Sequence, residues 1–183
     1  IEVEGEGRTA TGWAETPLSV AWVWPSKLGY AEREVRLQEF CEVLRGDLER
    51  SLEEGHPFVI GHRYIEDRLH GRLDEENADR AVGAEMPHLA ALVCLSAFDL
   101  ALYDAFGKLH EVGAFECLGE KWLGTQDLSH FLEPAEKFVG KYPADYLVKP
   151  EMEQPVWHLV GGLDPIKESE LTGDEPDDGY PVL

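Results

Sequence analysis

Positive charge is what this 183-residue sequence has least of: 16 Lys and Arg stand against 37 Asp and Glu, a formal net charge of −21. A phosphate backbone is held by a surplus of Lys and Arg, so the balance argues against nucleic acid as a partner and equally against an anionic membrane surface. It favours a strongly solvated surface of the kind salt-adapted proteins carry. Cysteine is scarce as well. Cys41, Cys94 and Cys117 are odd in number, widely spaced and set in apolar surroundings, which fits buried reduced thiols better than a disulfide frame or a zinc site, and a cytoplasmic location with them. No apolar run reads as a membrane span, no signal peptide is visible and no internal repeat is found.

Familiar catalytic patterns are missing too. The seven histidines contain no His-x-x-x-His pair, so a zinc protease helix is not supported. Ser96 lacks the Gly-x-Ser-x-Gly context of an esterase elbow. Gly5-x-Gly7 has Ala10 where the dinucleotide fingerprint needs its third glycine, and no helix follows. Asp174, Asp177, Asp178 and Gly179 lack the alternating spacing and closing glutamate of a calcium loop. Asp99 and Asp104, five apart on a helix, point about 140° away from each other and cannot serve one substrate as a glycosidase pair.

What is present reads as α+β. Residues Ile1 to Glu4 alternate, Gly5-Glu6-Gly7 supplies a turn, and Arg8 to Glu15 returns as a second strand. Pro17 to Gly29 is a loop carrying Trp22, Trp24 and Ser26, with Tyr30 close by. From Ala31 the stripe Leu37, Phe40, Cys41, Leu44, Leu48 and Leu52 predicts a long helix that tolerates Gly46 at a cost of about 1 kcal/mol and stops at Gly55-His56-Pro57. Ile65, Leu69 and Leu73 predict a shorter helix, and Asp74 to Gly83 a polar loop.

The segment from Pro87 predicts a strut helix with Pro87 at its first position and Gly107 as its stop. Its apolar residues fall around nearly the whole circumference, so burial on most sides is expected. Asp104 and Lys108 have the spacing of a helix ion pair, and Asp99, set among Ala97, Phe98, Leu100 and Ala101, is expected to find a hydrogen-bonding partner. Short pieces of helix and loop follow over 124–154. Val156 to Val160 reads as a strand with His158 on one side and Trp157 and Leu159 on the other, and 161–178 as an acidic connection.

The strut sequence Ala97 to Lys108, A-F-D-L-A-L-Y-D-A-F-G-K, resembles the capping-domain helix of the enolase superfamily, in its mandelate racemase/muconate lactonizing branch, which has the form A-x-D-x-A-L-x-D-x-x-G-K. Val112-Gly113 and Phe115 to Gly119 are similar to the family's continuation, with Ala114 where proline is usual. Gly12-Trp13-Ala14-Glu15 resembles its G-x-G-E strand, with Ala14 for the second glycine, and Pro155 to Gly162 resembles the entry into its first barrel strand.

The resemblance implies an N-terminal capping domain over 1–150, its first strand missing, and the start of a (β/α) barrel over 151–183. It also implies a parent enzyme, a lyase or isomerase, that removes the proton α to a carboxylate and holds the product anion on Mg2+. The substrate class is a small carboxylate, for example a sugar acid; the parent is expected to be a homo-oligomer. The basic and metal-binding residues of the family follow later in its barrel, so this chain is expected to be an inactive fragment with no catalytic residue and no metal of its own. Trp22, Trp24 and Ser26 then form the substrate-capping loop, or the rings dock on the barrel rim. His158 and Gly161 are candidates for the barrel mouth, His158 equally for a core or interface position. The alternative is a self-standing acidic α+β module that binds a partner through the Trp22 and Trp24 loop; a hydrolase built on Ser96, Asp99 and a histidine has no motif behind it.

Overall fold

The computed structural model describes residues 1–51, 53–149, 153, 155 and 165–171, and the chain divides into two units, Ile1–Leu147 and Val148–Leu183. In the first unit a small antiparallel sheet precedes helices, so the class is α+β. Strands β1 (Glu2–Gly5) and β2 (Arg8–Thr11) pair with Val3 opposite Ala10 and Gly5 opposite Arg8. Glu6 and Gly7 make the two-residue turn with φ of 52° and 75°, the positive pair that matches the twist of a hairpin. Val3 and Ala10 share the half-buried face, while Glu2, Glu4, Thr9 and Thr11 face solvent.

A single helical turn, α1 (Val20–Val23), leads into α2 (Tyr30–Arg50). The buried stripe of α2 is Arg33, Leu37, Phe40, Leu44 and Asp47, so the helical phase that buries three apolar side chains carries a charged one at each end. The helix ends at Arg50, ahead of the expected Gly55-His56-Pro57, and Leu52 lies outside the described residues.

Those same three residues start the next helix. His56 is the N-cap of α3 (Pro57–Tyr64), its Nδ1 accepting the Phe58 N–H at 3.1 Å, and Pro57 takes the first position where no N–H is needed. The chain stays helical through a wide π turn (Ile65–Leu69) into α4 (His70–Asn77). The expected short helix is thus the second half of a longer one, and the first residues of the expected loop are helical. Asn77 then clamps the return: its side chain donates to the Met86 carbonyl at 3.0 Å and accepts the Met86 N–H at 2.7 Å.

The strut, α5 (His88–His110), differs from expectation in three ways. Pro87 is its N-cap in extended conformation rather than its first helical residue. The helix passes through Gly107 and is terminated by Glu111 at φ 54°, with the Val112 N–H returning to the Gly107 carbonyl at 2.9 Å. Burial covers Ala90, Ala91, Cys94, Leu95, Ala101, Ala105 and Leu109, but Leu89 and Leu100 are exposed. Contrary to the sequence reading, α5 is long and apolar enough by length and composition to cross a membrane; a core helix meets the same criterion.

The core joins Val20, Val23 and Trp24 to the α2 stripe, to Tyr64, Leu69 and Leu73, and to the inner face of α5. After α5 come α6 (Glu120–Leu123) and three single 3-10 turns at Leu128–His130, Ala135–Lys137 and Pro143–Tyr146. Asp127 ties this region together by accepting the Ser129 hydroxyl and the N–H groups of Gly140 at 2.6 Å and Ser129 at 3.0 Å; the hydroxyl first, then these N–H groups, hold its carboxyl down at about 2. In the second unit Glu168–Glu170 forms a 3-10 turn, with Glu170 accepting the Ile166 and Lys167 N–H groups. The expected strand Val156 to Val160 lies outside the described residues.

Candidate functional site

The loop expected to present two tryptophans presents one. Ser19, at φ 46°, turns the chain into α1, whose Val20 and Val23 are buried. Trp24 follows Val20 by four residues, on the same helical face, and is also buried, at 1 % exposure. Its carbonyl accepts a hydrogen bond from Arg33 Nη1, and the Arg80 guanidinium lies over its ring at 5.2 Å. Its indole Nε1 has no partner among the described residues. Trp24 is therefore a core anchor, and of the two loop tryptophans it is not the one that faces outward. Trp22, one residue off that face, is 68 % exposed. Ser26 is half-buried and its hydroxyl accepts the Leu28 N–H at 3.3 Å, a local turn contact.

Next to the loop, Leu28, Glu32, Arg36, Glu76, Asp79 and Arg80 line an open groove of about 380 Å3. Arg80 is spent within it, bonded to the Glu76 side chain and backbone carbonyl. A larger groove, about 630 Å3, opens between the hairpin and the helices, with Gly12, Trp13, Arg45, Glu53, Ile60 and Phe98 among its lining residues. Trp13 is 79 % exposed there.

The hairpin and strut meet in one joint. A Cβ on Gly12 would lie 1.9 Å from the Ala101 carbonyl oxygen and 2.4 Å from the Ala105 nitrogen, so only glycine allows the strand this close to the helix. Beside it the Trp13 N–H donates to Asp104 Oδ2 at 2.8 Å, and Lys108 Nζ bonds the same carboxylate at 2.6 Å and the Thr11 carbonyl at 3.2 Å. The expected Asp104–Lys108 pair is present and also fastens the end of β2. The Lys108 bond, then the Trp13 N–H, hold the Asp104 carboxyl below the usual range.

Asp99 behaves differently. It packs against Gly61, where an added Cβ would meet its Oδ1 at 2.5 Å. Burial alone pushes its carboxyl up, with neither cation nor hydrogen-bond donor among the causes. The expected partner is absent among the described residues. His56 is likewise buried; its Nδ1 serves the cap, its Nε2 has no partner among the described residues, and desolvation lowers its pKa.

Asp47, by contrast, is fully satisfied: Arg72 holds both oxygens at 2.6 and 2.7 Å, Arg50 adds a bond at 3.0 Å and the Tyr64 hydroxyl one at 3.4 Å. Arg72 is the main cause of its depressed pKa, and burial followed by the Asp47 charge pushes Tyr64 up to about 12. The in-phase spacing 33-37-40-44-47 was the available signal for Arg33 and Asp47, which the apolar stripe alone did not reveal. No group of three or more His, Cys, Asp or Glu side chains converges on one point among the described residues. His158 and Gly161 lie outside the described residues.

Compared with known proteins, the chain matches no family model, no curated protein and no solved structure.

Proposed function

We propose that this chain is the capping part of a Mg2+-dependent enzyme of the enolase superfamily, mandelate racemase/muconate lactonizing branch, whose parent removes the proton α to a carboxylate. One observation carries the reading. Two of the sequence patterns on which the resemblance rests, Gly12 to Glu15 and Ala97 to Lys108, lie far apart in sequence, and residues from each meet in a single joint of close packing and hydrogen bonds. Four of the patterned residues have a physical task there: Gly12 admits the helix, Ala101 presents the strand with a small side chain, Asp104 accepts the strand N–H, and Lys108 donates to the strand carbonyl. A joint of this kind gives a rigid platform for the loop that follows the hairpin.

On this reading the loop over 17–29 is the substrate-facing element. Trp24 fixes its base in the core and Trp22 is the side chain left free to cover a ligand. The metal would stabilise negative charge on the substrate when bound, and on this reading its ligands come from later in the parent's barrel. The parent reaction falls among dehydration, racemisation, epimerisation and cycloisomerisation of a small carboxylic acid.

The exposure of Trp22 also favours a second reading, a self-standing acidic module that binds a partner through this loop. The coding sequence downstream of Leu183 separates the two. An in-frame Lys-x-Lys strand shortly after Leu183 is expected for the enzyme; a stop codon at that point contradicts it.

A further inference from the structure

We propose that Cys41 and Cys94 are a thiol pair that a low-molecular-weight disulfide, such as oxidised glutathione, converts into an intramolecular disulfide stapling α2 to α5. The two side chains meet where these helices pack. Cys94 Sγ–H donates to the Leu37 carbonyl of α2 at 3.6 Å, one turn before Cys41, and the Cys41 sulfur lies 4.0 Å from the Cys94 carbonyl oxygen on α5. Each sulfur thus reaches the backbone of the opposite helix. Small residues on the buried face of α5, Ala90, Ala91 and Cys94, permit so close an approach.

The pair is asymmetric in a way that suits thiol–disulfide exchange. Cys41 is half-buried at the edge of the core, whereas Cys94 is 1 % exposed, so a reagent meets Cys41 first. The Cys94 side chain beside it holds Cys41 below the ordinary thiol range, and the Cys41 side chain, followed by burial, pushes Cys94 up. Cys41 is the attacking group and Cys94 the resolving one. Cys117 stands apart as an internal control: it is buried, its thiol donates to the Ala114 carbonyl at 3.1 Å, and burial raises its pKa.

The steps balance. The Cys41 thiolate attacks one sulfur of oxidised glutathione, forming a mixed disulfide and releasing one glutathione thiolate. The Cys94 sulfur then attacks the Cys41 sulfur, its proton passing to the second departing glutathione. The protein loses two electrons and two protons, and the reagent becomes two thiols. The new bond closes a loop between residues 53 apart, which restricts the unfolded chain and so favours the folded one.

The test uses the full 183-residue chain, treated with excess oxidised glutathione at neutral pH, acid-quenched, alkylated and digested without reductant for mass spectrometry. The expected result is a cross-linked peptide joining Cys41 and Cys94 with Cys117 alkylated, a melting temperature several degrees above that of the reduced chain, and reversal by dithiothreitol. Cys94→Ala is expected to retain glutathione on Cys41. Cys41→Ser is expected to lose at least about tenfold in the rate of glutathione uptake. A stable glutathione adduct on wild-type Cys41 without the cross-link, faster modification of Cys117, or no thiol consumed overturns the proposal. Should the Cys94→Ala chain fail to fold, the wild-type peptide map decides alone.

Discussion

The Asp104 carboxylate and the backbone N–H of Trp13, 91 residues apart in sequence, meet at 2.8 Å. The contact places a helix side chain where a neighbouring strand would otherwise donate or accept, and Lys108 does the same for the Thr11 carbonyl. The end of β2 is thereby closed by the strut rather than by another strand, and the register of the hairpin is fixed against α5.

Gly12→Ala tests that joint. Its Cβ would fall inside contact distance of the Ala101 carbonyl oxygen, a backbone atom that cannot rotate away. The expected loss is about 3 kcal/mol or more, read from urea denaturation, at the upper end for overpacking. Gly29→Ala, with nothing within 4 Å, is the control for glycine replacement at an uncrowded site.

Asp47→Ala removes the acceptor for Arg72, Arg50 and Tyr64 at a site where the carboxylate is 3 % exposed. A loss of about 3 kcal/mol is expected, at the lower end for a broken buried pair because both arginines can reach water. The native pKa is depressed, so the wild-type contribution is full above the unfolded value of about 3.9 and is lost as pH falls through it toward the native value. Denaturation midpoints taken down an acid series should therefore fall less steeply in Asp47→Ala than in wild type.

The hairpin, α2 and the strut were legible because turn residues and a 3.6-residue apolar period mark them directly. Helix α3 was not, because Gly55-His56-Pro57 reads as an ending, while an N-capping His56 and a first-position Pro57 equally make a beginning. The burial of Trp24 was not legible because its partners Val20 and Val23 sit in a single helical turn, too short for periodicity to stand out. The strut's exposed side was missed because composition records that a helix is apolar, not how many neighbours it has. Of the candidate site, the Asp104–Lys108 pair was legible from its four-residue spacing, while its meeting with Gly12 and Trp13 was not, since residues so far apart carry no signal of mutual contact until the chain is folded.

Asp99→Asn should have the opposite pH signature to the Asp47 variant. The Asp99 carboxyl is raised by burial, so its contribution is full below the unfolded pKa and is lost as pH rises through the native value. Burial disfavours the charged form, and the isosteric amide carries no charge and does not crowd Gly61. The expected outcome is a higher denaturation midpoint at pH 7 and little change at mildly acid pH.

The two loop tryptophans should separate cleanly. Trp24→Ala is expected to lose about 3–5 kcal/mol, as for other large buried aromatic residues. Trp22→Ala is expected to stay within about 0.5 kcal/mol of wild type, while altering substrate choice in the parent enzyme. Equal destabilisation by both would mean that Trp22 is not free.

The central claim, that these residues cap an active site whose chemistry lies elsewhere in a longer enzyme, is tested most directly by proton exchange. The full reading frame and the 183-residue chain are each incubated in D2O with a panel of sugar acids and other small carboxylic acids, with and without Mg2+, and the α-proton is followed by NMR. Mg2+-dependent loss of the α-proton signal of at least one acid is expected with the full-length protein, and none with the chain alone. Exchange catalysed by the 183-residue chain, or none with any acid by the full-length protein, would contradict the claim.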